Sequence, residues 1–119
     1  MSINKNYYVI AGYDLTYLKT EKFEDWRWTD EGEKWMCNQV KGRIQLFDDP
    51  MCGDYLYLGF IFAAGDECDF QTTKFDIIDI NNAFESVTRM LSWLQSEGVI
   101  RRDPNNVPEY KIIAFVEYR

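Results

Sequence analysis

Most of the chain reads as strand-like segments separated by turn residues, and one long segment near its end takes a helical period instead. YYVIAGYDLT (7–16) sets Tyr7, Val9, Ala11, Tyr13 and Leu15 on one face of a strand and Tyr8 and Ile10 on the other. Both faces are apolar at its start, which predicts an interior strand. RIQLF (43–47) reads as a second strand and YLYLGFIFAA (55–64) as its partner, apolar on both faces as a central strand is. Asp-Pro and Cys-Gly-Asp in DDPMCGD (48–54) supply the turn between them. GDECD (65–69) turns the chain again into FQTTKFDI (70–77), a more polar strand suited to a sheet edge. EYKIIAFVEY (109–118) closes the chain as a strand with Tyr110, Ile112, Ala114, Val116 and Tyr118 on one face.

A helical period runs through NAFESVTRMLSWLQSEG (82–98), where Phe84, Val87, Leu91 and Leu94 recur on one face beside Met90. Asn82-x-x-Glu85 has the form of a capping box, and Gly98 stands where a left-handed C-terminal cap belongs. Asp30-x-x-Glu33 and Gly42 would bracket a shorter helix from about Glu31 to Lys41; a strand through Trp35, Cys37 and Gln39 fits nearly as well. RRDPNNVP (101–108) is a loop. The order predicts one α+β domain over 1–119: a single, mostly antiparallel sheet of about five strands packed on one long helix, with one short helix besides.

Composition changes this picture in two places. Aromatic residues make up 17% of the chain, enough to fill a core and leave rings for a surface. The net charge of −7 is concentrated in residues 48–79, where Asp48, Asp49, Asp54, Asp66, Glu67, Asp69, Asp76 and Asp79 face only Lys74. An acidic chain lacks the lysines and arginines that neutralise phosphates, so a nucleic-acid backbone is not the expected partner. The acidity is compatible with meeting a basic protein surface, and equally with the solvated rim of two turns that serves solubility alone. No apolar run is long enough for a membrane span and the N-terminus has no signal-peptide pattern, so a cytoplasmic location is expected, with Cys37, Cys52 and Cys68 as reduced thiols.

Chemistry is harder to find. The chain has no histidine, which removes Ser-His-Asp and Cys-His catalysis. Its glycines form neither phosphate-binding loop pattern, and its acidic turns lack the spacing of a calcium loop, so no cofactor or metal is expected. Glu109-Tyr110-Lys111 is the acid-x-lysine half of a metal-dependent nuclease site, for which Asp66 or Asp69 would have to supply the other half. A small-ligand sensor with an aromatic pocket is a third reading.

The stretch FEDWRWTDEGEKW (23–35) is the better lead, with three tryptophans set among charges. In a strand, Trp26 and Trp28 would share a face; in a helix they would point about 200° apart. Either way the flanking charges keep the stretch near solvent, and tryptophan is prominent in binding hot spots. Any one of the three could instead be structural, Trp26 or Trp28 plugging one end of the sheet and Trp35 packing on the helix, but all three in the core is harder to arrange. Trp26, Trp28 and Trp35 are therefore expected as partner-binding anchors, with Asp48, Asp49, Asp54, Asp66 and Glu67 as an electrostatic surface beside them. Replacing both Trp26 and Trp28 by alanine is then expected to leave the melting point nearly unchanged.

YYVIAGYDLT, KGRIQLFDDPMCGDYLYLGFIFAAGDE and IIAFVEYR resemble segments of small acidic proteins carried by phages and prophages of Bacillus and related Gram-positive bacteria. The resemblance implies a non-enzymatic protein that binds and disables a host protein. Anti-defence inhibitors are the leading class, with a defence-associated sirtuin or a CRISPR–Cas effector as the partner. It transfers no functional residue.

Overall fold

A computed structural model describes residues 5–37, 43–49, 55–66, 70–72 and 77–118. The chain is an α+β protein with one antiparallel sheet. Its elements are β1 (Lys5–Asp14), α1 (Lys22–Arg27), α2 (Asp30–Cys37), β2 (Ile44–Asp48), β3 (Leu56–Asp66), β4 (Phe70–Thr72), α3 (Ile77–Ser96) and β5 (Lys111–Tyr118). The strands lie in the order β2-β3-β1-β5, and the three residues of β4 pair with the far end of β3. β1 and β3 are thus interior, which explains why neither has a polar face throughout. The β1–β3 register shifts between Val9 and Ile10, so Phe62 is the extra residue of a bulge.

β1 ends at Asp14, two residues earlier than its alternation suggests. The Asp14 carboxylate accepts hydrogen bonds from the backbone N–H and the hydroxyl of Thr16, which turns the chain into a single 3-10 turn over Thr16–Leu18. The segment that follows is tied to the far side of α3: Arg101 N–H donates to the Leu18 carbonyl at 2.8 Å, and Thr20 N–H to that of Val99 at 3.2 Å.

α3 begins at Ile77, five residues before the predicted start, so Asn82 is inside the helix and caps nothing at its N-terminus. The sequence signal is the i, i+3, i+7 spacing of Ile77, Ile80 and Phe84, which continues the apolar stripe backwards. Of the strand predicted over 70–77, Phe70–Thr72 form β4 and Ile77 belongs to α3, while residues 73–76 lie outside those described. At the other end Gly98 adopts φ +77°, and the N–H of Val99 reaches back to the Leu94 carbonyl at 3.1 Å. That is the left-handed cap its position predicts.

The short helix predicted from Glu31 proves to be the second of two. Thr29, not Asp30, caps α2: its hydroxyl oxygen accepts the Gly32 N–H at 3.1 Å and its carbonyl accepts that of Glu33. α1 has too few residues to display a period, yet Phe23 and Trp26 at i, i+3 both turn inward. The far end of the predicted helix, residues 38–41, lies outside the described residues.

Two apolar clusters flank the sheet. The larger joins Tyr13, Ile44, Leu46, Leu56 and Leu58 of the strands to Phe23, Trp35, Val87, Leu91 and Leu94 of all three helices. A hydrogen bond of 2.7 Å between the Tyr13 and Thr88 hydroxyls pins α3 to β1. The smaller cluster, on the opposite face, has Ile10, Phe47 and Ile61 at its centre with Tyr8, Tyr55, Tyr57 and Phe115 packed around them.

Candidate docking groove

α1 decides where each tryptophan goes. Because residues 22–27 are helical, Trp26 and Trp28 diverge. Trp26 turns in, with its ring centroid 6.2 Å from those of both Phe23 and Trp35. Trp28 turns out and is 79% exposed, with the Arg27 guanidinium 4.9 Å from its ring centroid. Trp35 is buried, stacked on Trp93 of α3 with centroids 5.3 Å apart and planes 16° apart.

Half-buried Trp26 and Trp93 then form apolar walls of a shallow groove of about 360 Å³ between α1 and the end of α3. Asp25, Glu31 and Glu97 stand around these rings and Lys22 is the basic residue beside them, so among the described residues that line the groove three carboxylates face one ammonium. Lys22 is itself engaged, donating to the Glu97 carbonyl at 3.3 Å. The position of α1 is fixed from below by Gly32. A Cβ there would collide with the Trp26 carbonyl oxygen and the Arg27 backbone, so only glycine lets α2 start this close to α1. Aromatic walls and an acidic rim suit a cation on an apolar stem, which an arginine or lysine side chain provides.

Three of the expected anchors change standing here. Trp35 is a core residue with no face left for a partner. Asp48 is also buried, its carboxylate paired with Arg27 and with Lys19 Nζ, the latter at 3.3 Å, so its charge is spent inside the protein. The ion pair has a structural use: it ties α1 to the end of β2. Trp26 is part wall and part core, so truncating it together with Trp28 is now expected to cost stability, against the sequence-based expectation.

The acidic surface does not assemble as one patch either. Asp49 follows β2 and is half-buried, whereas exposed Asp66 ends β3 ten residues beyond the partner of Asp48. At a strand rise of about 3.3 Å per residue that is ~33 Å away. Asp54 and Glu67 lie outside the described residues. The carboxylates that do meet aromatic rings are Asp25, Glu31 and Glu97. The first two lie in or near the tryptophan stretch, but Glu97 and Trp93 are some 65 residues on, and no local pattern could have joined them.

Glu109 and Lys111 line a second groove of about 270 Å³, where Asp14 joins them from the end of β1. Asp66, the sequence-based candidate for that role, is at the opposite end of the sheet, and Asp69 is outside the described residues. Among the described residues no three histidine, cysteine or acidic side chains are grouped to hold a metal ion. No helix among them is long and apolar enough to cross a membrane. Beside Asp14 and Glu109, Tyr57 has its pKa raised by burial and then by the Asp14 charge, and Tyr110 is pushed up to about 12 by burial and then by Tyr13.

No protein-family model, curated protein or solved structure matches this chain.

Proposed function

We propose that the protein is a non-enzymatic binding protein that docks a basic segment of a partner protein in the groove between α1 and α3. The observation that carries this reading is the lining itself: Trp26 and Trp93 as walls, with Asp25, Glu31 and Glu97 around them. An arginine or lysine placed there sets its stem against indole rings and its charge among carboxylates. Exposed Trp28 beside Arg27 extends the contact area at the outer end of α1. The resemblance to small acidic phage proteins supplies the biological setting of the proposal: an inhibitor acting in the host cytoplasm on an anti-phage defence protein, a defence-associated sirtuin or a CRISPR–Cas effector. The partner would be met through protein contacts, with no nucleic acid, membrane or cofactor involved.

A pull-down from a Bacillus lysate tests this, with the tagged protein and its Glu31→Lys/Glu97→Lys variant side by side. Both substituted residues are exposed, so the variant is expected to keep the wild-type melting point. A host protein recovered by the wild type and lost with the folded variant supports the reading. Equal recovery by both removes the groove from it.

A second reading has one observation in its favour. Asp14, Glu109 and Lys111 line one groove, which brings together the residue types of a metal-dependent nuclease site, two carboxylates and a lysine. Magnesium-dependent DNA cleavage that disappears in Glu109→Ala would establish it; absence of cleavage ends it.

A further inference from the structure

The groove between α1 and α3 already holds a cation, and it comes from the chain itself. The C-terminal end of a helix leaves backbone carbonyls without helical partners and carries partial negative charge; α3 ends in this way at Ser96, against the start of α1. Two side chains at that start reach the carbonyls just beyond it. The Thr20 hydroxyl lies 2.5 Å from the Gly98 carbonyl oxygen, and Lys22 Nζ donates to that of Glu97 at 3.3 Å. The Lys22 stem crosses the left-handed turn on its way, with Cδ 3.6 Å from where a Cβ on Gly98 would stand. Among the described residues no ion pair joins Lys22 to a carboxylate, or Asp25, Glu31 or Glu97 to a base. The ammonium is exposed and held in the groove by that one hydrogen bond, while the carboxylates around it keep their charge for something else.

On the docking reading proposed above, we infer that Lys22 is a built-in occupant of the groove, an autoinhibitory contact that a basic side chain of the partner displaces from the end of α3. The incoming cation takes over the Glu97 carbonyl and gains the three carboxylates, while its stem lies on the indole walls. Lys22 is compact and flexible enough to swing into water, where its ammonium is well hydrated. Giving up one exposed hydrogen bond costs little, so the contact lowers the partner's affinity without closing the groove. It also removes one unit of the attraction that would otherwise draw any cation to this surface.

Calorimetric titration of an acetylated oligo-arginine peptide into the full chain is the test, with Lys22→Met and Lys34→Met beside the wild type. Methionine keeps an apolar stem and removes the charge. Lys34 is exposed on α2 and does not line the groove, so its variant controls for the change in net charge. At ~0.15 M salt, where exposed charges are screened beyond about 8 Å, Lys22→Met is expected to bind about three- to fivefold tighter than the wild type, and Lys34→Met less than about 1.5-fold tighter. In the wild type, the ¹⁵N signal of the Lys22 ammonium is expected to move towards that of a solvated lysine as peptide is added. If the wild type binds the peptide but Lys22→Met gains no more than Lys34→Met, the inference is overturned and the docking reading stands. An ammonium signal that stays in place at saturation has the same meaning. If neither the wild type nor Lys22→Met binds, both the inference and the docking reading fall. Binding by Lys22→Met alone supports both.

Discussion

The two sides of the sheet use their aromatic residues in opposite ways. On the side away from the helices, Tyr8, Phe47, Tyr55, Tyr57 and Phe115 pack on one another with centroids 4.8–5.5 Å apart, closing over Ile10 and Ile61. Each ring there is satisfied by another ring. On the helical side the Trp35–Trp93 stack does the same work at its base, but Trp26 and the outer part of Trp93 face a groove among carboxylates. A surplus of aromatic residues is therefore no sign of a docking surface. What distinguishes the groove is the charge set around its rings.

The sharpest way to separate the two sides is to truncate one ring in each. Phe47 is 1% exposed at the centre of the ring cluster, so Phe47→Ala is expected to cost about 3–5 kcal/mol by chemical denaturation. Loss of less than about 1 kcal/mol would mean that the cluster collapses around the gap and is no true core. Gly32→Ala comes next. The added methyl must push α1 off α2, at about 1–3 kcal/mol, and is expected to alter the near-ultraviolet circular dichroism of the tryptophans with little change in helix content.

How much of this the sequence showed depended on the range of the interactions involved. β1 and β5 follow from alternation, β2 and β3 from apolar runs set between turn residues, and Gly98 from cap chemistry, because those signals are local. The start of α3 was obscured by the isoleucines of DIIDIN, which favour strands while also fitting a helical stripe. The burial of Asp48 depends on Arg27 and Lys19, which arrive from across the fold. The groove needs Trp93 and Glu97 beside Trp26, a contact that exists only once α3 has docked on the sheet. The tryptophan stretch pointed to the right neighbourhood without distinguishing its wall (Trp26) from its core anchor (Trp35).

Tyr110 gives a smaller and pH-dependent effect, from a third place where rings meet. Its hydroxyl is held protonated up to about 12 in the folded protein, above the ordinary value near 10. Between those values the folded state binds more protons than the unfolded one, so stability falls as pH rises from about 10 to about 12. Below about 10 the contribution is constant. Tyr110→Phe is expected to flatten that decline in thermal melts and to reduce the tyrosinate absorbance that develops near pH 12. The smallest effect belongs to Trp28. With its ring in solvent, Trp28→Ala is expected to change stability by no more than about 0.5 kcal/mol, and a larger loss would assign the Arg27–Trp28 contact a structural role.

The central claim, a cation-accepting groove between α1 and α3, is tested most directly by the four tryptophan indole N–H signals in a ¹⁵N-labelled sample, assigned by single substitutions. Titrating an arginine-rich peptide should move the signals of Trp26 and Trp93 saturably, with the effect weakened by salt, while a glutamate-rich peptide moves neither. If the arginine-rich peptide leaves both signals in place, or moves only that of Trp28, the groove is not the docking site.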